Sequence, residues 1–452
     1  MESVAQNWFC TVALVSWALF AIWLYQVRPI GKATLWTILG AQLLLPVGAS
    51  IKIEGVPQFD KISIPNLAAL IGCILVVRRP LRIWTKFGFA GILILIYLIG
   101  PVITAELNRD PIFLANKVLP AEGHYDAFSA VVGQFLTLIP FFLGRHLLRS
   151  SADNEEILRV LVIAGLLYSL PILFEVRMSP QLHTWIYGYF PHSFAQQMRD
   201  AGFRPVVFMG HGLLVAFFMM TTAVAAAALW RMQYRIRRLP PAGITAYLST
   251  IVILCKGGGS IVYGATLVPL VRFGQPRLQL RLALVLVIIA LLYPMLRTTD
   301  LFPTNSLVEA AGLISVDRAG SLKYRFDHDQ ELLERASQRF LFGWGRWGRS
   351  RIYNEYGTDI SVSDGRWIII LGQFGLCGFL AEFGLLAFSV FRAASAFKLT
   401  KSKTDQIALA ALALIVAVNV IDLLPNAWLA PWTWLLAGAL LGRAESLLAD
   451  AR

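Results

Sequence analysis

Charge is the scarcest resource in this chain: Asp, Glu, Lys and Arg make up 15% of its 452 residues, against 57% hydrophobic side chains, with a mean hydropathy of +0.63. So little charge, set among repeated apolar runs about 20 residues long, excludes an ordinary soluble domain, because runs of that length span a bilayer core as helices. Alternating apolar and polar strand patterns are missing as well, which argues against a membrane barrel. There are only four cysteines, Cys10, Cys73, Cys255 and Cys377, all in or beside apolar segments and none in a CxxC pair. That excludes a disulfide framework and a zinc site. No nucleophile elbow, P-loop, dinucleotide fingerprint or HExxH occurs. The first apolar run, Trp8 to Val27, lacks a basic leading region and a small-residue cleavage site, so it is expected to be a retained span. The net charge of +13 comes from basic residues clustered in short connections. This is the positive-inside pattern of membrane proteins and no argument for nucleic acid.

What is present is a series of apolar segments: Trp8–Val27, Ala33–Ile51, Ile64–Val77, Trp84–Thr104, Ala127–Leu148, Ile157–Glu175, Val206–Trp230, an interrupted pair within Ala242–Val271, Leu280–Leu296, Trp367–Phe391, Gln406–Leu424 and Trp428–Leu441. The expected fold is all-α, a polytopic transmembrane helical bundle of about 12–13 spans with one large external loop. Its parts are residues 1–296, with a broken helix pair around 256–260, then the loop 297–366 and the C-terminal spans 367–452. Short basic connections, such as Arg78 to Lys86 and Arg231 to Arg238, should face the cytoplasm, which puts the 297–366 loop outside. This holds only if Ala242–Val271 crosses twice or dips in and returns. The loop is a polar island with ten basic and ten acidic residues and a net charge near zero, expected to fold as a lid without a core of its own.

Most of the polar equipment sits in or near this island. Lys256 precedes three glycines and Ser260 within an apolar segment, where freed backbone groups need a partner. A helix restarting at Ser260 with Lys256 beside it suits an anion such as phosphate, while a plain hairpin turn is the bland alternative. Arg204, Arg318, Arg325 and Arg366 belong to an arginine set able to hold a diphosphate or acidic sugar through bidentate forks, although more than half of the set is expected to pair with the island's acids or with lipid. Asp364, where the island re-enters the membrane, is either a partly desolvated proton acceptor or a helix N-cap. Trp344 and Trp347, in Gly343-Trp-Gly-Arg-Trp-Gly-Arg349, suit stacking on sugar faces. His211, Gln373, Glu382, Asn419 and Asp422 are polar groups at membrane depth and functional candidates on that ground, with Glu382 as readily a structural hydrogen-bonder. Asp327 and Asp329 flank His328 in a short DxD pattern, but pairing with arginines is the stronger reading, and neither metal nor cofactor is expected.

Taken in order, Arg204-Pro-Val-Val-Phe, Cys255-Lys-Gly-Gly, Tyr324-Arg325-Phe, Phe342-Gly-Trp-Gly345 and Gly372-Gln-Phe-Gly-Leu-Cys-Gly378 resemble the O-antigen ligase and O-antigen or exopolysaccharide polymerase superfamily of bacterial inner-membrane proteins over roughly Arg204 to Phe383. The resemblance implies transfer of a glycan from an undecaprenyl-diphosphate-linked oligosaccharide on the periplasmic face, without metal or nucleotide. It also implies Arg204, Lys256 and Arg325 on the diphosphate, Asp364 as base with His328 in reserve, and membrane lipids, a flippase and a chain-length regulator as partners. Three positions depart from it: Lys256 stands where ligases usually have Arg, Ser363-Asp364-Gly365 where ligases carry a His before an Asn, and Gln373 where a Glu is frequent. The missing His favours a polymerase over a ligase acting on a lipid A-core acceptor. A flippase of lipid-linked sugars is the alternative from another class, against which stands the lack of internal repeats.

Overall fold

The computed structural model describes residues 7–53, 56–78, 88–199, 202–236, 238–313 and 315–451, with no side chain described at positions 317 and 318. The candidate Arg318 and most of the basic connection 78–86 therefore lie outside the described residues. The helices are α1 (Trp8–Val27), α2 (Ile30–Leu44), α3 (Ser63–Ile71, continued by a π-turn over Gly72–Val76), α4 (Phe89–Glu106), α5 (His124–Leu147), α6 (Ser151–Met178), α7 (Leu182–Tyr187), α8 (Gly212–Arg231), α9 (Pro241–Leu254), α10 (Gly258–Phe273), α11 (Pro276–Thr298), α12 (Thr304–Gly312), α13 (Val316–Ser337), α14 (Arg366–Ala396), α15 (Lys403–Asp422) and α16 (Pro431–Asp450). Strand structure among the described residues is confined to three two-residue ladders in connections.

Local chemistry starts these helices where it should. Asn7 caps α1 through Oδ1, which accepts the Cys10 N–H at 3.2 Å. Ser150 and Asp153 form a capping box on α6, and Pro241, Pro276 and Pro431 occupy the first turns of α9, α11 and α16, where their missing N–H costs nothing. Among the described residues, eight helices, α1, α4, α5, α6, α8, α11, α14 and α15, are long and apolar enough to cross a membrane, the pattern of a multi-pass membrane protein. α8 and α15 are buried on nearly every side and form the centre. α1 and α4 turn Trp8, Leu19, Trp23, Phe89, Ile92 and Ile99 outward, as a lipid-facing rim requires. α5 and α16 approach most closely where Gly438 and Gly442, one turn apart, lie on Phe141 and Arg145: a Cβ at either glycine would fall 2.1 Å and 2.4 Å from their carbonyl oxygens.

The chain shuttles between two ends of this bundle. α9 and α10 form a hairpin that begins and finishes at one end, since Arg231 at the close of α8 donates to the Val271 and Gly274 carbonyls. The interrupted segment thus leaves from and returns to one end, as both a double crossing and a re-entrant dip require. Its turn is tighter than expected: α10 starts at Gly258 rather than Ser260, and Lys256 itself takes the left-handed conformation, φ 52°.

The polar island also departs from expectation. It holds a 22-residue helix, α13, whose Leu332, Leu333 and Ala336 are buried in the core shared with the membrane-length helices. Its following loop is joined to α14. That helix breaks at Gly375 (φ 65°, ψ −165°), and the freed groups pair with the loop: Trp344 and Gly345 donate to the Gly372 and Gln373 carbonyls, both at 2.9 Å, while Leu376 and Cys377 donate to Phe340 and Leu341 at 2.8 and 3.1 Å. The approach leaves no room for a side chain on either strand, as a Cβ on Gly375 would sit 2.3 Å from the Leu341 carbonyl carbon and one on Gly343 would sit 2.5 Å from that of Gln373. Gly375→Val should therefore cost about 1–3 kcal/mol from backbone strain alone, with the clash added. We expect a lower melting temperature in detergent together with protease cleavage within 338–345, and an unchanged melting curve with a protected loop would contradict this docking.

Candidate functional site

The residues singled out from the sequence separate into a group that converges and a group committed elsewhere. Arg204 lies on the segment between α7 and α8, and that segment is held by a carboxylate that sequence reasoning used only as a span boundary. Glu175, buried near the end of α6, accepts the backbone N–H groups of Leu182, Val206 and Val207 at 3.0, 2.8 and 2.7 Å. The only signal of this role was an acidic residue closing an apolar run. The staple turns Arg204 towards the tip of the α9–α10 hairpin, where its Nη2 donates to the Lys256 carbonyl at 3.2 Å. Arg204 is buried, its Nε has no partner among the described residues, and burial together with the nearby Arg199 and Arg325 pulls its guanidinium down to about 10. Several positive charges thus gather around one buried fork.

Arg325, on α13, adds its charge from the island and pairs with Asp364 through Nε at 3.1 Å. One helical turn on, Asp329 is only 7% exposed, and burial, with Asp364 nearby, pushes its carboxyl up to about 7 against the pull of Arg297 and Arg325. The site thus holds two neighbouring carboxylates, Asp329 buried and Asp364 paired with Arg325. Asp329 entered the sequence reading as half of a DxD pattern. On a helix, residues two apart point about 200° apart, and Asp327 indeed lines a different, polar cavity with Asp300 and Asn305. Among the described residues, no three His, Cys, Asp or Glu side chains converge as a metal site would require. His328 makes its contacts with Tyr324, ring to ring at 4.3 Å, and with Glu331 at 3.5 Å rather than with Asp364.

His211, which caps α8, connects this group to the main cavity. Its Nδ1 accepts the Leu213 N–H at 3.1 Å, which assigns the proton to Nε2. Burial, followed by His192 and the three arginines 204, 325 and 199, pushes the ring down to about 3, so it stays neutral and donates through Nε2. Its ring packs on Trp428 and His192 at 4.5 and 4.9 Å, and all three line a cavity of about 710 Å³ between α5, the α8 approach and the start of α14. Pockets of roughly 300–1,000 Å³ take small molecules.

The remaining candidates are already engaged. Arg366 gives Nε and Nη2 to both oxygens of Glu382 at 2.6 Å, and the Tyr97 hydroxyl donates to the same carboxylate at 3.1 Å, which makes Glu382 the structural hydrogen-bonder. Trp344 is 8% exposed, donates Nε1 to the Arg335 carbonyl at 2.7 Å, and has the Arg335 and Arg339 guanidinium groups 3.4 and 4.5 Å from its ring centre. Its face is occupied, which corrects the expectation that it stacks on sugars. Trp347, 52% exposed and tied to Asp126 at 2.8 Å, keeps an open face. Arg349 is completely buried and braces the island to the 108–120 connection through Asn108, Pro120 and Asp110. Arg351 pairs with Asp359. Of Arg346, Arg349, Arg351 and Arg366, Arg346 alone makes no ion pair among the described residues, and it lines the cavity.

The raised Asp329 has a measurable consequence. A carboxyl held near 7 when folded and near its usual 3.8 when unfolded binds its proton more tightly in the folded state, so stability falls as pH rises from about 4 through about 7 and is level above that. Melting temperatures in detergent across that range should show this decline, and Asp329→Asn should flatten it. An equal slope in the variant would remove Asp329 as its source. Compared with the models of known protein families the chain matches none, and the comparison with curated proteins gives no match either.

Proposed function

We propose that this protein is a polysaccharide polymerase of the bacterial inner membrane, transferring a glycan from an undecaprenyl-diphosphate-linked donor to the acceptor end of another lipid-linked glycan on the periplasmic face. The observation that carries the reading is the buried, partly unpartnered Arg204 fork at the hairpin tip, with Arg199 and Arg325 close by and Lys256 supplying both the carbonyl it binds and a further cation. An anion with two or three negative charges is the ligand that such a cluster stabilises, and a diphosphate is the leaving group whose charge grows during glycosyl transfer. The end of the bundle carrying the island would face the periplasm, since the opposite end gathers the short basic connections.

In this mechanism the acceptor hydroxyl oxygen attacks the anomeric carbon of the donor, the bond from that carbon to the phosphate oxygen breaks, and undecaprenyl diphosphate departs with the electron pair. Asp364 takes the hydroxyl proton. At rest Asp364 is held by Arg325, and an arriving diphosphate, carrying more charge, draws Arg325 away and leaves the carboxylate free to act as base. Asp329 sits behind it as a second carboxylate near neutrality. Neutral His211 donates Nε2–H to a substrate oxygen, and Trp347 offers its exposed face to a sugar.

Purified protein in liposomes, supplied with an undecaprenyl-diphosphate repeat unit and no nucleotide sugar, should lengthen the glycan, with turnover unchanged by EDTA. Asp364→Asn should slow elongation by about 10²–10⁴-fold, the usual worth of a general base, with unaltered melting. Near-normal elongation would return Asp364 to an ion-pairing role. If only transbilayer movement of the lipid-linked unit is seen, the polymerase reading fails.

A further inference from the structure

The cavity beside His211 has a charge imbalance that the proposed diphosphate cluster does not use. Its wall carries two guanidinium groups, Arg346 and Arg366, the imidazoles of His192 and His211, and the amides of Gln42, Gln134 and Gln373, while among the described residues no Asp or Glu lines it. The two arginines differ. Arg366 is neutralised from behind by Glu382, which takes its Nε and one terminal nitrogen. Arg346 lies alongside the Trp347 ring, 5.0 Å from its centre, with a long 3.4 Å contact from Nη1 to Ser129 Oγ and no carboxylate paired to its guanidinium. Glu122 bonds to the main chain, where it accepts the Arg346 backbone N–H, and reaches the guanidinium only through a longer-range attraction. A half-buried fork with no carboxylate in ion-pair contact among the described residues, facing a cavity of small-ligand size, is open to an anion that a ligand brings.

We propose that this cavity selects a glycan bearing an acidic sugar, whose carboxylate docks on the Arg346 fork while the glutamine amides and Ser129 read the ring hydroxyls. A planar carboxylate matches a guanidinium in two parallel hydrogen bonds. The amide-rich wall suits a sugar better than a bare phosphate, for which all-cationic partners would serve. His211 borders both regions, lining the cavity and feeling Arg204 and Arg325. A donor could therefore lay its diphosphate at the hairpin tip and an acidic sugar near its reducing end in the cavity. This specificity rests on the proposed glycan-transfer reading.

The test uses the full-length protein in nanodiscs and three probes: cellobiuronic acid, cellobiose, which lacks only the carboxylate, and inorganic pyrophosphate. Wild type should bind cellobiuronic acid about tenfold more tightly than cellobiose, as one charge-assisted bidentate pair allows. Arg346→Gln should bring the two disaccharides to within about twofold. Arg346→Lys, which keeps the charge and the aliphatic stem, should retain part of the preference and guards against a folding failure in the first variant. Equal binding or no binding of the two disaccharides by wild type, or a preference that survives in Arg346→Gln, overturns the proposal. So does displacement of the acidic disaccharide by pyrophosphate, which would make the cavity the diphosphate site. Arg204→Gln should weaken pyrophosphate and spare the disaccharide preference, and pyrophosphate binding indifferent to Arg204→Gln would instead sink the glycan-transfer reading.

Discussion

The break in α14 at Gly375 is the constraint on which the arrangement of polar groups depends. A helix interrupted at membrane depth exposes N–H and C=O groups that hydrocarbon cannot satisfy, and only protein or water can cover them. Here the cover is the Phe340–Gly345 stretch, which exchanges four main-chain hydrogen bonds across the break. With that stretch fixed, Arg349 and Asn108 can brace the neighbouring connection, Arg346 is aimed at the cavity, and α13 is pinned along the bundle with Arg325 against Asp364. The glycines at 343 and 375 are required by the closeness of the two backbones.

Much of the bundle was legible in the sequence because hydrophobic length is a strong signal: the run Trp8 to Val27 is helix α1 residue for residue, and the basic and proline-bearing connections fall between helices. The hairpin was legible as an alternative, through Lys256 and its glycines. α13 was not. Its pattern is polar on most faces, and the three apolar residues that bury it, Leu332, Leu333 and Ala336, are too few to announce a 22-residue helix. The break within α14 was hidden for a related reason, since Gly372-Gln-Phe-Gly sits in an otherwise continuous apolar run and the bonds that stabilise it come from a loop about 30 residues earlier.

Within the candidate site, the residue types were readable and their employment was not. Side-chain charge does not reveal whether a carboxylate waits nearby in space. Arg349, Arg351 and Arg366 are paired with acids, whereas Arg204, bonded to a carbonyl alone, and Arg346 have no ion pair among the described residues, and nothing in their local sequence separates the two sets. Trp344 and Trp347 are three residues apart in one motif, yet one is a buried strut between guanidinium groups and the other an open ring. Asp329 stood in the sequence as half of a weak DxD pattern, and only the helical backbone shows that it turns away from Asp327.

The α9–α10 hairpin has a consequence for the lipid around it. Its arms, of 14 and 16 residues, rise only about 21 and 24 Å at 1.5 Å per residue, short of a hydrocarbon layer about 30 Å thick. α10 is also sparsely covered by its neighbours, with only Ser260, Leu267 and Val271 buried. Beside this hairpin the bilayer has to thin or admit water down to the level of Lys256. On the proposed glycan-transfer reading, a lipid-linked donor would then carry its headgroup sideways to the turn without its chain leaving the hydrocarbon, and its search for the site would run in two dimensions.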